Sequence, residues 1–156
     1  MIHIIYGSAS DKDYFKQGIE YLIKNKIQFR EFIISAHRNF KRLNQYIDKI
    51  NAGEYRLDAA ICVAGLAAVM PGIIAAGTEI TVIAVPVPKK YFDGIDALLS
   101  IIQSPSGAPV VSVGLHEKAP LNAAVFAHRM LRKIEKAQNG KYLKGKIQRR
   151  KRLTDK

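Results

Sequence analysis

Five short apolar runs alternate with amphipathic segments along this chain of 156 residues, and the alternation strongly constrains its fold. The runs span residues 2–6, 28–34, 59–63, 81–85 and 110–113, and turn residues follow each of them. Because the runs are nearly continuous in Ile, Val and Ala, they are typical of strands buried on both faces of a sheet. Strands that alternate with helices form β-α-β units. We therefore predict a doubly wound, three-layer α/β fold of about five parallel strands, similar to flavodoxin.

The segments between and after the runs repeat apolar residues at helical spacing. Asn39 is placed to cap a helix over residues 39–51. Ser10 with Asp13 forms a capping-box-like start for an earlier helix, and Pro120 lies near the first turn of the last one. The apolar residues expected on the inner faces are Phe15, Ile19, Leu22 and Ile23; Phe40, Leu43, Ile47 and Ile50; Ile95, Leu98, Leu99 and Ile102; and Leu121, Ala124, Leu131 and Ile134.

Positive charge is concentrated at the C-terminal end of the chain. The formal net charge of the whole chain is +12, of which residues 136–156 contribute +8. A basic end contacts nucleic acid in some proteins, but a plain solvated end is at least as common. Tyr142 is the only aromatic residue there, so a stacking platform for single strands is lacking. We predict one α/β domain over residues 1–136, a basic tail or helix over residues 137–156, and no nucleic-acid partner.

Composition excludes several other classes of protein. Hydrophobic residues make up 48% of the chain and charged residues 24%, which are values of a globular protein. The single cysteine, Cys62, excludes an internal disulfide framework and a Cys-rich zinc module. No apolar stretch reaches about 18 residues without a charge or a turn signal, and the first run is too short for a secretory signal. We expect a soluble, cytoplasmic protein without a membrane span.

Unusual residues gather in the loops that follow the predicted strands. Residues 7–11 follow the first strand, 35–39 the second, 64–72 the third and 86–88 the fourth. Ligands of open parallel sheets bind beyond the carboxyl ends of the strands. The loops after the first three strands can therefore converge on one crevice.

The loop after the first strand suits an anion. Gly7 permits a sharp turn, and the hydroxyls of Ser8 and Ser10 lie beside free amides at a helix N-terminus. The pattern is neither a Walker loop nor the dinucleotide glycine motif, which disfavours ATP and NAD. The carboxylate of Asp11 would repel a phosphate and suits a ribose hydroxyl, an amine or a helix N-terminus. A capped turn without any ligand is the alternative interpretation.

His37 and Arg38 form a second candidate group. An imidazole exchanges protons near neutral pH, and a guanidinium binds carboxylate or phosphate through a planar fork. Their position at a strand end, opposite the anion loop, favours a functional interpretation over a structural one. The other histidines, His3, His116 and His128, lack the spacing of metal ligands. We therefore predict no metal site.

Five motifs, in order, resemble those of the N5-carboxyaminoimidazole ribonucleotide mutases. They are Gly-Ser-x-Ser-Asp at 7–11, Ser-Ala-His-Arg at 35–38, Ala-Gly-x-Ala-Ala-x-x-Pro-Gly at 64–72, Val-Pro-Val at 85–87 and Asp-x-Leu-Leu-Ser-Ile-x-Gln-x-Pro-x-Gly at 96–107. Asn122-Ala123-Ala124 is similar to the start of the family's last helix. The resemblance covers about residues 2–135 of the chain.

The resemblance implies an enzyme of purine biosynthesis whose subunits form octamers, with active sites near the subunit contacts. Such an enzyme moves a carboxylate from the exocyclic nitrogen of an aminoimidazole ribonucleotide to ring carbon 4 through released carbon dioxide. It needs no metal, ATP or organic cofactor. By the motif match, His37 would be the catalytic proton shuttle. The implied substrate-binding residues are Ser8, Ser10, Asp11, Ser35, Arg38, Ala64, Gly65 and Ala67.

The chain departs from the family pattern at a few positions. Asn39 and Phe40 stand where the family usually has Thr-Pro, and Val69 stands where it usually has a histidine. One alternative function is direct carboxylation of aminoimidazole ribonucleotide by carbon dioxide. Arg38 and the residue pair at 67–68 favour the mutase over this alternative. Another is a non-catalytic relative that binds nucleotides or RNA.

Overall fold

A parallel sheet lies at the centre of the described residues, which are 1–90 and 92–138 of a computed structural model. Within them the strands are β1 (Ile2–Tyr6), β2 (Phe29–Ile33), β3 (Ala59–Gly65), β4 (Thr81–Val87) and β5 (Val110–Ser112). All neighbouring strands pair in parallel, in the order β2-β1-β3-β4-β5. The prediction of a doubly wound, flavodoxin-like α/β fold with about five strands is confirmed.

Helices cover both faces of this sheet. They are α1 (Lys16–Lys24), α2 (Phe40–Asn51), α3 (Met70–Gly77), α4 (Ile95–Ile102) and α5 (Ala119–Gln138). Helices α1 and α5 pack on one face, whereas α2, α3 and α4 pack on the other. Among the described residues, no helix combines the length and the apolar character that a bilayer crossing requires.

The predicted division of the chain at residue 136 falls within α5, and residues 139–156 lie outside the described residues. Both the domain boundary and the basic tail over 137–156 stay predictions.

Burial on both faces holds for the three central strands only. The side chains of β1, β3 and β4 are buried almost throughout. Those of β2 and β5 are half-buried or exposed, so the prediction was wrong for these two strands. Both lie at the edges of the sheet, where a strand has a neighbour on one side only. Arg30 and Glu31 of β2 reach solvent there.

Helix starts were predicted with mixed success. Asn39 caps α2 as expected, because its side-chain oxygen accepts the backbone N–H of Arg42 at 3.2 Å. The predicted capping box of Ser10 and Asp13 is wrong. The carboxylate of Asp11 instead accepts the backbone N–H of Ser8 at 3.0 Å, and two short 3-10 turns precede α1.

The inner faces of three helices also differ from the prediction. Ile23 of α1 is 63% exposed, although Phe15 and Leu22 are fully buried as expected. Phe40 of α2 is exposed as well, whereas Leu43 is buried. On α5 the predicted Leu131 packs against the core, but the fully buried residues are small ones, of which one was predicted: Ala119, Ala123, Ala124 and Ala127.

Helix α4 carries apolar residues on both of its sides. Ala97 and Ile101 face the core. Most of the predicted inner residues lie on the opposite side, where they are exposed together with a residue of the preceding turn. We name this surface the α4 ridge, and its members are Phe92, Ile95, Leu99 and Ile102. The prediction was wrong because periodicity alone does not distinguish two apolar faces of one helix.

His3 lies in the interior of the fold, as its position in a strand suggested. It is 1% exposed, and its Nδ1 atom lies 2.9 Å from the hydroxyl of Tyr46. The rings of Phe32, Tyr46 and Tyr55 surround it, with centroids 4.8 to 5.9 Å away. Burial lowers the pKa of His3 to about 4, and the positive charges of Arg30 and the N-terminus act in the same direction.

The free energy of unfolding should decrease as the pH falls from about 6.5 to about 4. Below pH 6.5 the unfolded chain binds a proton at His3 that the folded chain does not bind, because the folded pKa is about 4. The loss is at most about 3 kcal/mol. A His3→Gln variant should show a flatter pH profile in urea unfolding. His116→Gln, which removes an imidazole from a surface loop, should keep the steep profile, and equal profiles for the two variants would contradict the assignment.

Candidate active site

The pocket of interest lies where the order of the strands reverses. The chain runs from β1 outward to β2, and then passes back across β1 to β3. Loops after β1 and β3 therefore leave the sheet toward opposite faces and open a crevice between them. The crevice has a volume of about 720 Å³ and is lined by residues 7–11, 35–38 and 64–70 and by Lys89. The predicted convergence of three strand-end loops is confirmed.

A buried carboxylate organises the loop after β1. Asp11 is 2% exposed, and one of its oxygens accepts the backbone N–H of Ser8. The other oxygen accepts a hydrogen bond from the ammonium of Lys89 at 2.6 Å. The hydroxyls of Ser8 and Ser10 lie 2.6 Å apart, and Lys89 also reaches Ser10 at 3.4 Å. The carboxylate of Asp11 thus holds the loop and the Lys89 ammonium in place beside the two hydroxyls.

The loop after β2 presents an imidazole and a guanidinium to the pocket. The hydroxyl of Ser35 accepts the backbone N–H of Arg38 at 3.2 Å, and the Ser35 carbonyl accepts the N–H of Asn39 at 2.9 Å. These bonds hold a tight turn directly before α2. His37 and Arg38 have exposed side chains and line the pocket. The arrangement offers a proton-transferring imidazole next to a fixed positive charge.

The loop after β3 forms a wall of small residues. Ala64 is buried, and Gly65 pairs with Val87 at the end of β4. A Cβ atom on Gly65 would lie 2.9 Å from the Val87 carbonyl oxygen and 2.9 Å from Cε of Lys89. Leu66 has a left-handed backbone, with φ of 58°, and its side chain is 53% exposed. The absence of a side chain at Gly65 gives the lysine its path into the pocket.

All the residues named from the sequence lie in this one pocket. They are Ser8, Ser10, Asp11, Ser35, His37, Arg38, Ala64, Gly65 and Ala67. Sequence reasoning missed Lys89, which follows the fourth strand by two residues. A lysine in a strand-end loop is a signal that could have found it. Cys62 is a buried core residue, and burial raises the pKa of its thiol.

Within residues 1–90 and 92–138, no group of three or more His, Cys, Asp or Glu side chains could hold a metal ion. The polar groups of the pocket instead suit an organic anion, which the hydroxyls and two cations can bind.

Comparison with known proteins identifies the family. The family model described as AIR carboxylase matches residues 1–152. The chain belongs to the AIR carboxylase family. The resemblance inferred from the five motifs is thereby confirmed.

Relatives in this family carry two different names. The N5-carboxyaminoimidazole ribonucleotide mutase of Pyrococcus horikoshii is 41% identical over 131 residues, covering 84% of this chain and 72% of that protein. The mutase of Saccharolobus solfataricus is 37% identical over 130 residues, covering 83% and 80%. The phosphoribosylaminoimidazole carboxylase of Candida albicans is 40% identical over 131 residues, which cover 84% of this chain but only 22% of that protein.

A solved structure of the family has the same fold. The crystal structure of Treponema denticola PurE superposes with a TM-score of 0.74 at 26% sequence identity. The match covers 95% of this chain and 92% of the Treponema chain.

Replacement of Gly65 by alanine should damage this AIR carboxylase family pocket. The new methyl group would press on the backbone carbonyl of Val87, which cannot withdraw without breaking the pairing of β3 with β4. We expect a loss of about 1–3 kcal/mol in the free energy of unfolding and a loss of ligand binding. Urea unfolding and calorimetry would measure the two effects.

Gly72→Ala is the matched control for this substitution. Gly72 lies in α3, and its Cβ would make only an ordinary contact, 3.4 Å from the hydroxyl of Ser104. Alanine is the better helix former, so this variant should be as stable as the parent or slightly more so. If both variants behaved like the parent, the space at Gly65 would not be needed.

Proposed function

We propose that this chain converts N5-carboxyaminoimidazole ribonucleotide to 4-carboxy-5-aminoimidazole ribonucleotide in purine biosynthesis. It would thus be an isomerase that transfers a carboxyl group within one molecule. One observation carries the proposal: an imidazole, a guanidinium and two hydroxyls line a single pocket in a member of the AIR carboxylase family. Relatives named as mutases match over most of their own length, which supports the mutase over other activities in this family.

His37 is the proposed proton shuttle. The carbamate C–N bond breaks, its electron pair goes to the exocyclic nitrogen, and the imidazolium of His37 donates the proton that this nitrogen requires. The released carbon dioxide is attacked by ring carbon 4, and a new C–C bond forms. Neutral His37 then accepts the proton from carbon 4, which restores the ring and the imidazolium. His37 thus gives one proton to the nitrogen and takes a different one from carbon 4, so its protonation state is restored and no other acid or base is needed.

The other pocket residues are proposed to bind the substrate. Arg38 holds an anionic group, and Ser8 and Ser10 donate hydrogen bonds to it. Asp11 suits a ribose hydroxyl, because a carboxylate accepts hydrogen bonds but repels a phosphate. Ser35 shapes the turn that carries the catalytic residues, and the small residues Ala64, Gly65 and Ala67 lie against the ring. A pocket of about 720 Å³ suits one ribonucleotide.

Retention of carbon dioxide requires a pocket that is closed to solvent. His37 and Arg38 are exposed in the single chain, so a cover has to come from elsewhere. We propose a homo-octamer with its active sites near subunit contacts, where a neighbouring subunit provides this cover. The exposed α4 ridge supports self-association, since apolar patches on a surface mark contact sites. A cytoplasmic location is consistent with a purine-biosynthesis enzyme.

Direct carboxylation of aminoimidazole ribonucleotide by carbon dioxide is the second candidate. The matching region of the Candida albicans protein named phosphoribosylaminoimidazole carboxylase favours it, although that region is 22% of the protein. A product assay separates the two functions. One reaction receives freshly made carboxyamino ribonucleotide, and the other receives aminoimidazole ribonucleotide with bicarbonate. Faster formation of 4-carboxy-5-aminoimidazole ribonucleotide in the first reaction establishes the mutase. Faster formation of the same product in the second reaction establishes the carboxylase.

His37→Asn should abolish turnover while leaving the affinity for product within about threefold, since asparagine keeps a polar group but cannot transfer the proton. Product formation measures the first effect and calorimetry the second. His116→Asn removes a histidine outside the pocket and should retain full turnover. An active His37→Asn protein would exclude the proton-shuttle role.

Arg38→Ala should weaken binding of the ribonucleotide by about 1.5–3 kcal/mol, which is the usual contribution of a hydrogen bond to a charged group. The dissociation constant from calorimetry measures this change. Arg42→Ala removes an exposed arginine one turn along α2 and should leave the constant unchanged. An equal effect of the two substitutions would remove Arg38 from the binding site.

A further inference from the structure

Lys89 is a charged residue of the pocket for which neither the motifs nor the proposed mechanism provides a role. It follows β4 and enters the crevice from the side opposite the loop that carries His37 and Arg38. Its side chain remains 29% exposed, whereas its partner Asp11 is almost completely buried. The ammonium therefore lies between the buried carboxylate of Asp11 and the open pocket.

The hydrogen bonds of this ammonium leave it able to bind a ligand. A lysine ammonium has three N–H donors. One donates to Asp11 at 2.6 Å and a second reaches the Ser10 hydroxyl at 3.4 Å, which is a long contact. Ser10 in turn lies 2.6 Å from the hydroxyl of Ser8. An anion placed against these two hydroxyls would therefore also meet the ammonium.

The charge balance points to the same conclusion. Without a cation, the carboxylate of Asp11 would repel an anion bound at the serines. Lys89 neutralises that carboxylate, and Arg38 on the other wall supplies a second cation. The polar end of the pocket thus carries one carboxylate against two cations and has a net positive charge. A phosphate monoester near neutral pH carries close to two negative charges, so this net positive charge attracts it and its oxygens can accept hydrogen bonds from both cations.

We propose that Lys89 is a substrate-binding residue which, together with Arg38, binds the 5′-phosphate of the ribonucleotide. Asp11 orients the ammonium and fixes its position beside Ser8 and Ser10. Gly65 leaves room for the lysine side chain, because a Cβ atom at this position would lie 2.9 Å from Cε of Lys89. This proposal rests on the proposed function in so far as the ligand is an aminoimidazole ribonucleotide, but the phosphate is the group that Lys89 recognises.

The test compares three ligands by calorimetry. They are the product 4-carboxy-5-aminoimidazole ribonucleotide, the same molecule without its phosphate, and ribose 5-phosphate. Lys89→Met keeps the length of the side chain and removes its charge, and Lys89→Arg keeps the charge. Lys24→Met, which removes an exposed lysine from α1, is the matched control for net charge. Thermal unfolding verifies that each variant is folded.

We expect Lys89→Met to weaken binding of both phosphate-bearing ligands by about tenfold or more and to reduce the salt dependence of that binding. Affinity for the dephosphorylated product should stay within about twofold, since it lacks the group that Lys89 binds. Lys89→Arg should recover most of the lost affinity, and Lys24→Met should resemble the parent.

Two results would overturn the proposal. If Lys89→Met bound the phosphate-bearing ligands as tightly as the parent or more tightly, the ammonium would make no contact with phosphate. If it lost affinity for all three ligands equally, Lys89 would act only by holding Asp11. If the proposed function alone were wrong, the parent would bind ribose 5-phosphate but not the product. Lys89→Met would then still weaken the binding of ribose 5-phosphate. A parent that bound none of the ligands would contradict both proposals.

Discussion

The handedness of the strand connections determines where the ligand pocket of this protein lies. Right-handed crossovers are the rule for parallel strands, and accordingly the helix after β1 packs on one face of the sheet and the helices after β2, β3 and β4 pack on the other. The loops after β1 and β3 must therefore separate, although their strands are neighbours. The resulting gap needs no special residue to form. The fold provides the cavity, and the loop sequences provide the chemistry.

The chemistry of the gap depends on one buried charge. A carboxylate as buried as that of Asp11 is stable only with compensating partners, since an unpaired buried ion costs several kcal/mol. Its partners are the amide of Ser8 and the ammonium of Lys89, which come from strands on the two sides of β3. The bond to Lys89 therefore joins the loops after β1 and β4 across the loop between them. The hydroxyl and the carbonyl of Ser35 accept backbone N–H groups and hold the loop after β2 independently of Asp11.

The sequence contained most of the fold and most of the pocket, for identifiable reasons. The central strands are buried on both faces and so carry a continuous apolar signal, and Asn39 has a local partner for its cap. The start of α1 was wrong because the carboxylate of Asp11 accepts the backbone N–H of Ser8 in place of the predicted capping box. The predicted faces of α1 and α4 were wrong because their apolar residues exceed what one buried face needs. Lys89 was missed because its partner, Asp11, lies 78 residues away in the chain. Such a pair follows from the strand order, which local patterns do not encode.

The backbone conformation of Leu66 affects how the loop after β3 can move. A leucine with φ of 58° is held in a conformation that costs about 1–2 kcal/mol relative to ordinary backbone. The loop after β3 is thus under strain in the resting state, and a rearrangement that releases the strain recovers that energy. Its exposed side chain lies on the pocket wall, where rotation of this one peptide unit would change the shape of the cavity. Of the three loops around the gap, this is the one that holds a non-glycine residue at positive φ, so its backbone is the one with strain to release.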